Sequence, residues 1–245
     1  MEKRKSYLYL YSRQKEQYVR ELRDNLLIYT RFVTTISMDD FNLEATEYVD
    51  KRFIGEMDSV FNNDNQEAET FESEEDIYAE GFRYYNLLIA TKYRLLLSWI
   101  SCTRQLWEQQ VLSYVIREID IGELYGYSKS KIRSIKKAQD IFRNHGIDFE
   151  KMSCWNKIQE LGYLVNVIKH SEGESEEELR KMRPDFFNKD ENNINDDLRI
   201  YHTTLGAPTL NIKESEIETY TEALIEFWNK IPTDKHLIKV DSCPA

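Results

Sequence analysis

Tyr78, Phe82, Tyr85, Ile89, Tyr93, Leu96, Ile100, Trp107, Val111 and Tyr114 recur at steps of three and four, interrupted only where Thr103 takes a stripe position. An α-helix places residues three and four apart on one face, whereas a strand scatters them over both. The series therefore predicts one very long helix, or two nearly collinear ones, over about residues 77–119. The remainder of the chain is compatible with an all-α class, because its 245 residues include only 8 glycines and 4 prolines.

Other segments extend the pattern. Residues 6–37 read as a helix with Tyr11, Tyr18, Leu22 and Leu26 on its apolar side, and 38–61 as a second, shorter one. The polar, acidic run 62–76 reads as a loop. Gly122 and Gly126 end the long helix, and a basic helix over 128–146 closes at Gly146. Ser153 is the expected N-cap of a helix over 154–170, and Ser175 with Glu178 a capping box opening a short helix that Pro184 stops. Residues 185–213 are mostly irregular, with 208–212 a candidate strand, and an amphipathic helix runs over 215–231. Six or seven helices result, in an N-terminal helical extension (1–60), an acidic loop (61–76), a helical domain (77–231) and a tail (232–245).

Composition excludes several classes. Cys102, Cys154 and Cys243 are odd in number and form no CxxC pair, so neither a disulfide framework nor a zinc ribbon is expected. The basic start lacks the apolar core of a signal peptide, and no apolar run approaches the roughly 20 residues that span a bilayer. A cytoplasmic protein without membrane association is expected. The phosphate-cradling GxxxxGK[ST] and GxGxxG loops are absent, as are HExxH, GxSxG and an EF-hand loop. The four histidines stand at no metal-ligand spacing, so no metal or cofactor is expected.

The net charge of −11 is unevenly spread. Residues 39–80 hold 15 acidic and 2 basic side chains, whereas residues 1–31 carry a net +4. A polyanionic partner is thus compatible with the acidic total, because local patches set what binds where. Lys129, Lys131, Arg133, Lys136, Lys137 and Arg143 face a single acid, Asp140, just after Tyr125 and Tyr127. Cations beside aromatic rings suit single-stranded RNA, with Lys129, Arg133, Lys136 and Lys137 the candidate contacts; a solvated helix face is the plainer alternative.

In 154–170 two stripes run side by side. Ile158, Leu161, Val165 and Ile168 are apolar, while Gln159, Tyr163, Asn166 and His170 are polar. Histidine is the side chain best matched to proton transfer near neutral pH, so His170 is the candidate acid–base group and Asn166 its neighbour one turn away. Glu108, inside the long helix, joins this site only if its face meets the His170 helix; otherwise it is a surface charge.

The string LVNVIKHSEG (164–173) resembles the signature helix of the HEPN superfamily (higher eukaryotes and prokaryotes nucleotide-binding). That pattern is an arginine, often a following polar residue, a histidine after four to six residues and a trailing small residue. Asn166, His170 and Gly173 match it, and Val165 stands where the arginine belongs. Residues 209–231 are similar to the last element of several HEPN subfamilies. The resemblance implies a bundle of long antiparallel helices and a homodimer whose paired motifs cleave RNA without a metal. It also implies that the histidine moves a proton while the 2′-hydroxyl attacks, giving a 2′,3′-cyclic phosphate and a 5′-hydroxyl.

Without the arginine's bidentate grip on phosphate, Lys169, Arg180 and Arg183 are the candidate substitutes, and Tyr163 a further supporting residue. The first reading that the resemblance implies is a protein of the toxin or phage-defence type that acts on RNA, with an antitoxin or another defence protein as partner. A HEPN-derived binding or regulatory subunit that has lost catalysis is the alternative, its acidic stretch serving as a nucleic-acid mimic or as a cover for the basic helix. A helical scaffold of other ancestry is a third.

Overall fold

The computed structural model describes residues 5–33, 35, 37–62, 73–187 and 196–239. Among them are eight α-helices: α1 (Ser12–Phe32), α2 (Met38–Asn62), α3 (Glu74–Asp120), α4 (Ile135–Asn144), α5 (Trp155–His170), α6 (Glu174–Met182), α7 (Asp197–Tyr201) and α8 (Ser215–Lys230). Two short strands, β1 (Ser6–Leu8) and β2 (Leu237–Lys239), pair antiparallel. The fold class is all-α. Two compact units divide the chain, one of Met1–Ile28 with Ser98–Ala245 and one of Tyr29–Leu97.

In the larger unit α1 and α3 run antiparallel. Gln110 meets Tyr18 and Glu21, while Trp99 and Thr103 meet Asn25, so numbering falls along one helix as it rises along the other. Thr103 interrupts the apolar stripe without penalty, because its buried hydroxyl reaches the Asn25 side chain at 3.0 Å and the Trp99 carbonyl at 2.9 Å. Below it Trp107, Tyr114, Phe142, Phe149, Phe227 and Trp228 are each at most 1% exposed. Phe227 meets Trp107 and Phe149 edge-to-face at 5.0 and 4.8 Å, so α3, α8 and the segment after α4 share one aromatic core. The indole N–H of Trp228 donates to Gln110 Oε1 at 2.8 Å, satisfying the buried polar ends of both.

The smaller unit is a two-helix pairing. Tyr84 meets Glu44 and Tyr48, and Tyr78 meets Phe53, which makes α2 and α3 antiparallel there as well. Gly81 permits the approach, since a Cβ at that position would fall 2.2 Å from a Val49 methyl. Two capping boxes open these helices. The Ser37 hydroxyl accepts from the Asp40 backbone N–H and donates to its carboxylate, and Ser73 does the same with Asp76.

Several local expectations change. Residues 6–8 form β1 rather than a helix turn: Leu8 and Leu10 are buried and Tyr7 and Tyr9 partly exposed, a period of two. Residues 237–239, expected as tail, form its partner strand. The long helix begins at Glu74, inside the expected loop 61–76, of which 63–72 lie outside the described residues. The basic segment opens with a 3-10 turn at Lys129–Lys131, and its α-helix starts at Ile135 behind the cap Ser134. Ser153 does not cap α5, because its hydroxyl donates to Glu226 on α8 at 2.6 Å. Ser175 does not cap α6, which opens at Glu174 behind Gly173. Residues 208–212 form no strand; the Asn211 N–H donates instead to the Phe186 carbonyl at 2.7 Å.

Candidate functional site

Helix α5 is apolar over more than half its girth. Trp155, Ile158, Leu161, Leu164, Val165, Val167 and Ile168 are buried, which leaves Gln159, Tyr163, Asn166, Lys169 and His170 on the remaining face. The α6 hairpin and α8 fix this orientation. Arg183, after α6, reaches Glu160 of α5 at 2.9 Å and Glu216 of α8 at 2.6 Å, and the Tyr220 hydroxyl donates to Glu160 at 2.8 Å. Burial, with Glu160 beside it, pushes the Tyr220 hydroxyl well above the ordinary tyrosine range, so it remains a donor.

The far end of α5 is clamped separately. Thr204 donates its buried hydroxyl to the Ile168 carbonyl at 2.7 Å, capturing one of the carbonyls that a helix terminus leaves open. Ser171 then turns out of the helix at φ 64°. His170 is thus held in the last turn by its backbone. Its imidazole is exposed, and no described residue bonds to it.

A cavity of about 280 Å³ lies between α5 and α3. From α5 it is lined by Gln159, Gly162, Tyr163, Val165, Asn166 and Lys169; Arg104, Gln105 and Glu108 line it from α3. Glu108 therefore does face the motif helix. Of the residues singled out from the sequence, Tyr163, Asn166, Lys169 and Glu108 share this cavity, while His170 is not among its lining. Asn166 also donates to the Ser175 hydroxyl at 3.1 Å, which fixes its amide against α6.

Arg104 was not legible as a site residue. Its side chain is 11% exposed and lies over the Trp107 ring, Cζ standing 4.5 Å from the ring centroid. Nη2 pairs with Glu108 at 3.0 Å, while buried Nε and Nη1 have no acceptor among the described residues. Burial pulls the Arg104 pKa below its ordinary value against the opposing effect of Glu108, yet a guanidinium stays charged even so. A methyl group on Gly162 would stand 3.7 Å from Nη2, so the guanidinium rests against α5 where that helix has no side chain.

Comparisons with protein-family models, with curated proteins and with solved structures give no match.

Arg180 and Arg183 are committed elsewhere. Arg180 pairs with Glu176 and Asp196 and lies over Phe187; Arg183 adds Asp185 and the Phe186 ring to the partners above. Val165, at the motif's arginine position, is 4% exposed. In the basic segment Lys129 pairs with Asp120, and Arg143 with Asp148 and Glu150. Lys131, Arg133, Lys136 and Lys137 are exposed and have no ion-pair partner among the described residues. No described helix is long and apolar enough to cross a membrane.

Proposed function

We propose that this protein acts on RNA as a HEPN-like member of a cytoplasmic toxin or phage-defence system, with the polar face of α5 as its working surface. The observation that supports this most is the meeting of Tyr163, Asn166 and Lys169 with Glu108 around one cavity beside the motif helix. In this reading the RNA 2′-hydroxyl attacks the adjacent phosphorus and loses its proton, and the 5′-oxygen leaves with one. His170 exchanges one of these protons, Asn166 orients the strand, and Lys169 meets the phosphate charge. Lys129, Arg133, Lys136 and Lys137 supply the electrostatic hold on the strand. The active form is a homodimer that presents two such motifs, and an antitoxin or defence partner restrains it.

A binding or regulatory subunit without catalysis is the second reading. It is favoured by buried Val165 in the arginine position and by a His170 imidazole that no described residue orients. One assay separates the two: labelled total RNA incubated with the protein in EDTA, beside His170→Ala. Fragments ending in 2′,3′-cyclic phosphate only with the unaltered protein support the catalytic reading. RNA left intact by both proteins removes it.

A further inference from the structure

We infer that Arg104 is the anion-binding group of the α3–α5 cavity and takes a phosphate oxygen in exchange for its Glu108 partner. The inference rests on the RNA reading for the identity of the ligand, but its geometry is independent of His170.

The guanidinium is under-partnered for its burial. A charged donor withdrawn from water normally gathers acceptors on most of its N–H groups. Among the described residues Arg104 has one ion pair, to a carboxylate that is itself 37% exposed, and two buried nitrogens without acceptors. The indole N–H of Trp107, whose ring carries the guanidinium, is likewise buried without an acceptor. Those three donors are sealed from solvent, so Nη2, the nitrogen that pairs with Glu108, is where a ligand meets the guanidinium.

The position suits a ligand. The Trp107 ring and burial hold the guanidinium in place, so little side-chain freedom is lost on binding. Nη2 is the nitrogen beside Gly162, and Arg104 shares the cavity lining with Asn166 and Lys169 of α5. Among the lining residues the charges are Arg104, Lys169 and Glu108, which leaves one net positive charge, or two once Glu108 swings to solvent. Glu108 thus acts as the resident anion. It neutralises Arg104 in the free protein, and because it is partly exposed it can leave when a phosphate offers a stronger charge-assisted contact to Nη2. The guanidinium that α5 lacks at position 165 is present in the same cavity, contributed by α3.

The test follows the arginine side-chain N–H signals of the full chain by NMR, in EDTA, with two probes. One is inorganic phosphate; the other is a short 2′-O-methyl RNA strand without terminal phosphates, which cannot be cleaved. A shift of the Arg104 signals with either probe supports the inference. A response to the strand assigns the ligand as a backbone phosphodiester, and a response to inorganic phosphate alone assigns it as a free or terminal phosphate. Glu108→Gln removes the competitor and tightens the responding probe roughly tenfold, and Arg104→Lys, which keeps the charge but loses the fork, weakens it by a similar factor. Glu108→Gln alters a partly exposed side chain, so it remains informative if Arg104→Lys unfolds. Arg104 signals unmoved by both probes, or affinities unchanged by Glu108→Gln, would overturn the inference. If the strand still binds in that case, RNA recognition survives without Arg104. If inorganic phosphate moves Arg104 while no RNA is bound or cleaved, the RNA reading falls and the anion site stands.

Discussion

Tyr78 and Phe82 belong to the same helical stripe as Trp107 and Val111, yet the first two are 61% and 68% exposed and the last two fully buried. In the smaller unit the described partner of α3 is α2, met through Tyr84, Glu44, Tyr48 and the close contact at Gly81. In the larger unit the stripe lies among rings drawn from α4, α8 and the turn between α4 and α5. Periodicity creates an apolar face, but only a second layer of elements removes that face from water. Polar contacts follow the same division: Arg183 joins buried Glu160 to Glu216, whose side chain is 14% exposed, whereas Arg52 and Glu80 pair where both are more than 30% exposed.

The contrast is most exposed to test in the stripe itself. Trp107→Ala is expected to cost about 3–5 kcal/mol of unfolding free energy and Phe82→Ala less than about 1, measured by denaturant titration. Equal losses would mean that the stripe is covered at both ends. Next come the ion pairs. Glu160→Gln weakens the Arg183 and Tyr220 contacts and is expected to cost about 1.5–3 kcal/mol, while Glu80→Gln stays below about 1. A loss at Glu80 as large as that at Glu160 would erase the difference between the units.

The smallest effect lies at the start of α3. Hydrogen bonds from the Ser73 side chain, then from its backbone, hold the Asp76 carboxyl below its ordinary range. A lowered carboxylate pKa stabilises the fold above the unfolded value and loses that contribution as pH falls through the folded one. The protection factors of amides in the first turn of α3, taken against the intrinsic exchange rate at each pH, should therefore fall as the pH is taken below about 4. Ser73→Ala should accelerate their exchange roughly fivefold at neutral pH and flatten the acid dependence. Exchange there that ignores both changes would show that the capping box does not hold the helix end.

Much of the architecture was legible because it rests on local chemistry. The stripe from Tyr78 to Tyr114 specified α3, and Ile158, Leu161, Val165 and Ile168 specified the buried side of α5. The Leu8–Leu10 alternation was also written in the chain, but the helical signal beginning a few residues later masked its period of two. The caps fared worse where a tertiary partner competed: Ser153 turns to Glu226 and Ser175 to Asn166, groups distant enough in sequence that propensity is silent about them. At the candidate site Asn166, Lys169 and Tyr163 could be grouped because they share one helix. Glu108 could be tied to them only conditionally, and Arg104 not at all, because which face of a long helix meets α5 is decided by packing.

The β1–β2 pairing has a consequence for the order of assembly. Ser6 lies opposite Lys239, so this small ladder closes a loop that contains the whole helical body. Closing so long a loop from an open chain is entropically costly, and a few backbone hydrogen bonds return little. The ladder is therefore a late event in folding, which forms once α1 and α8 have brought its two halves together. For the same reason a pulling force applied between Ser6 and Lys239 would part the strands one rung at a time before any helix yields.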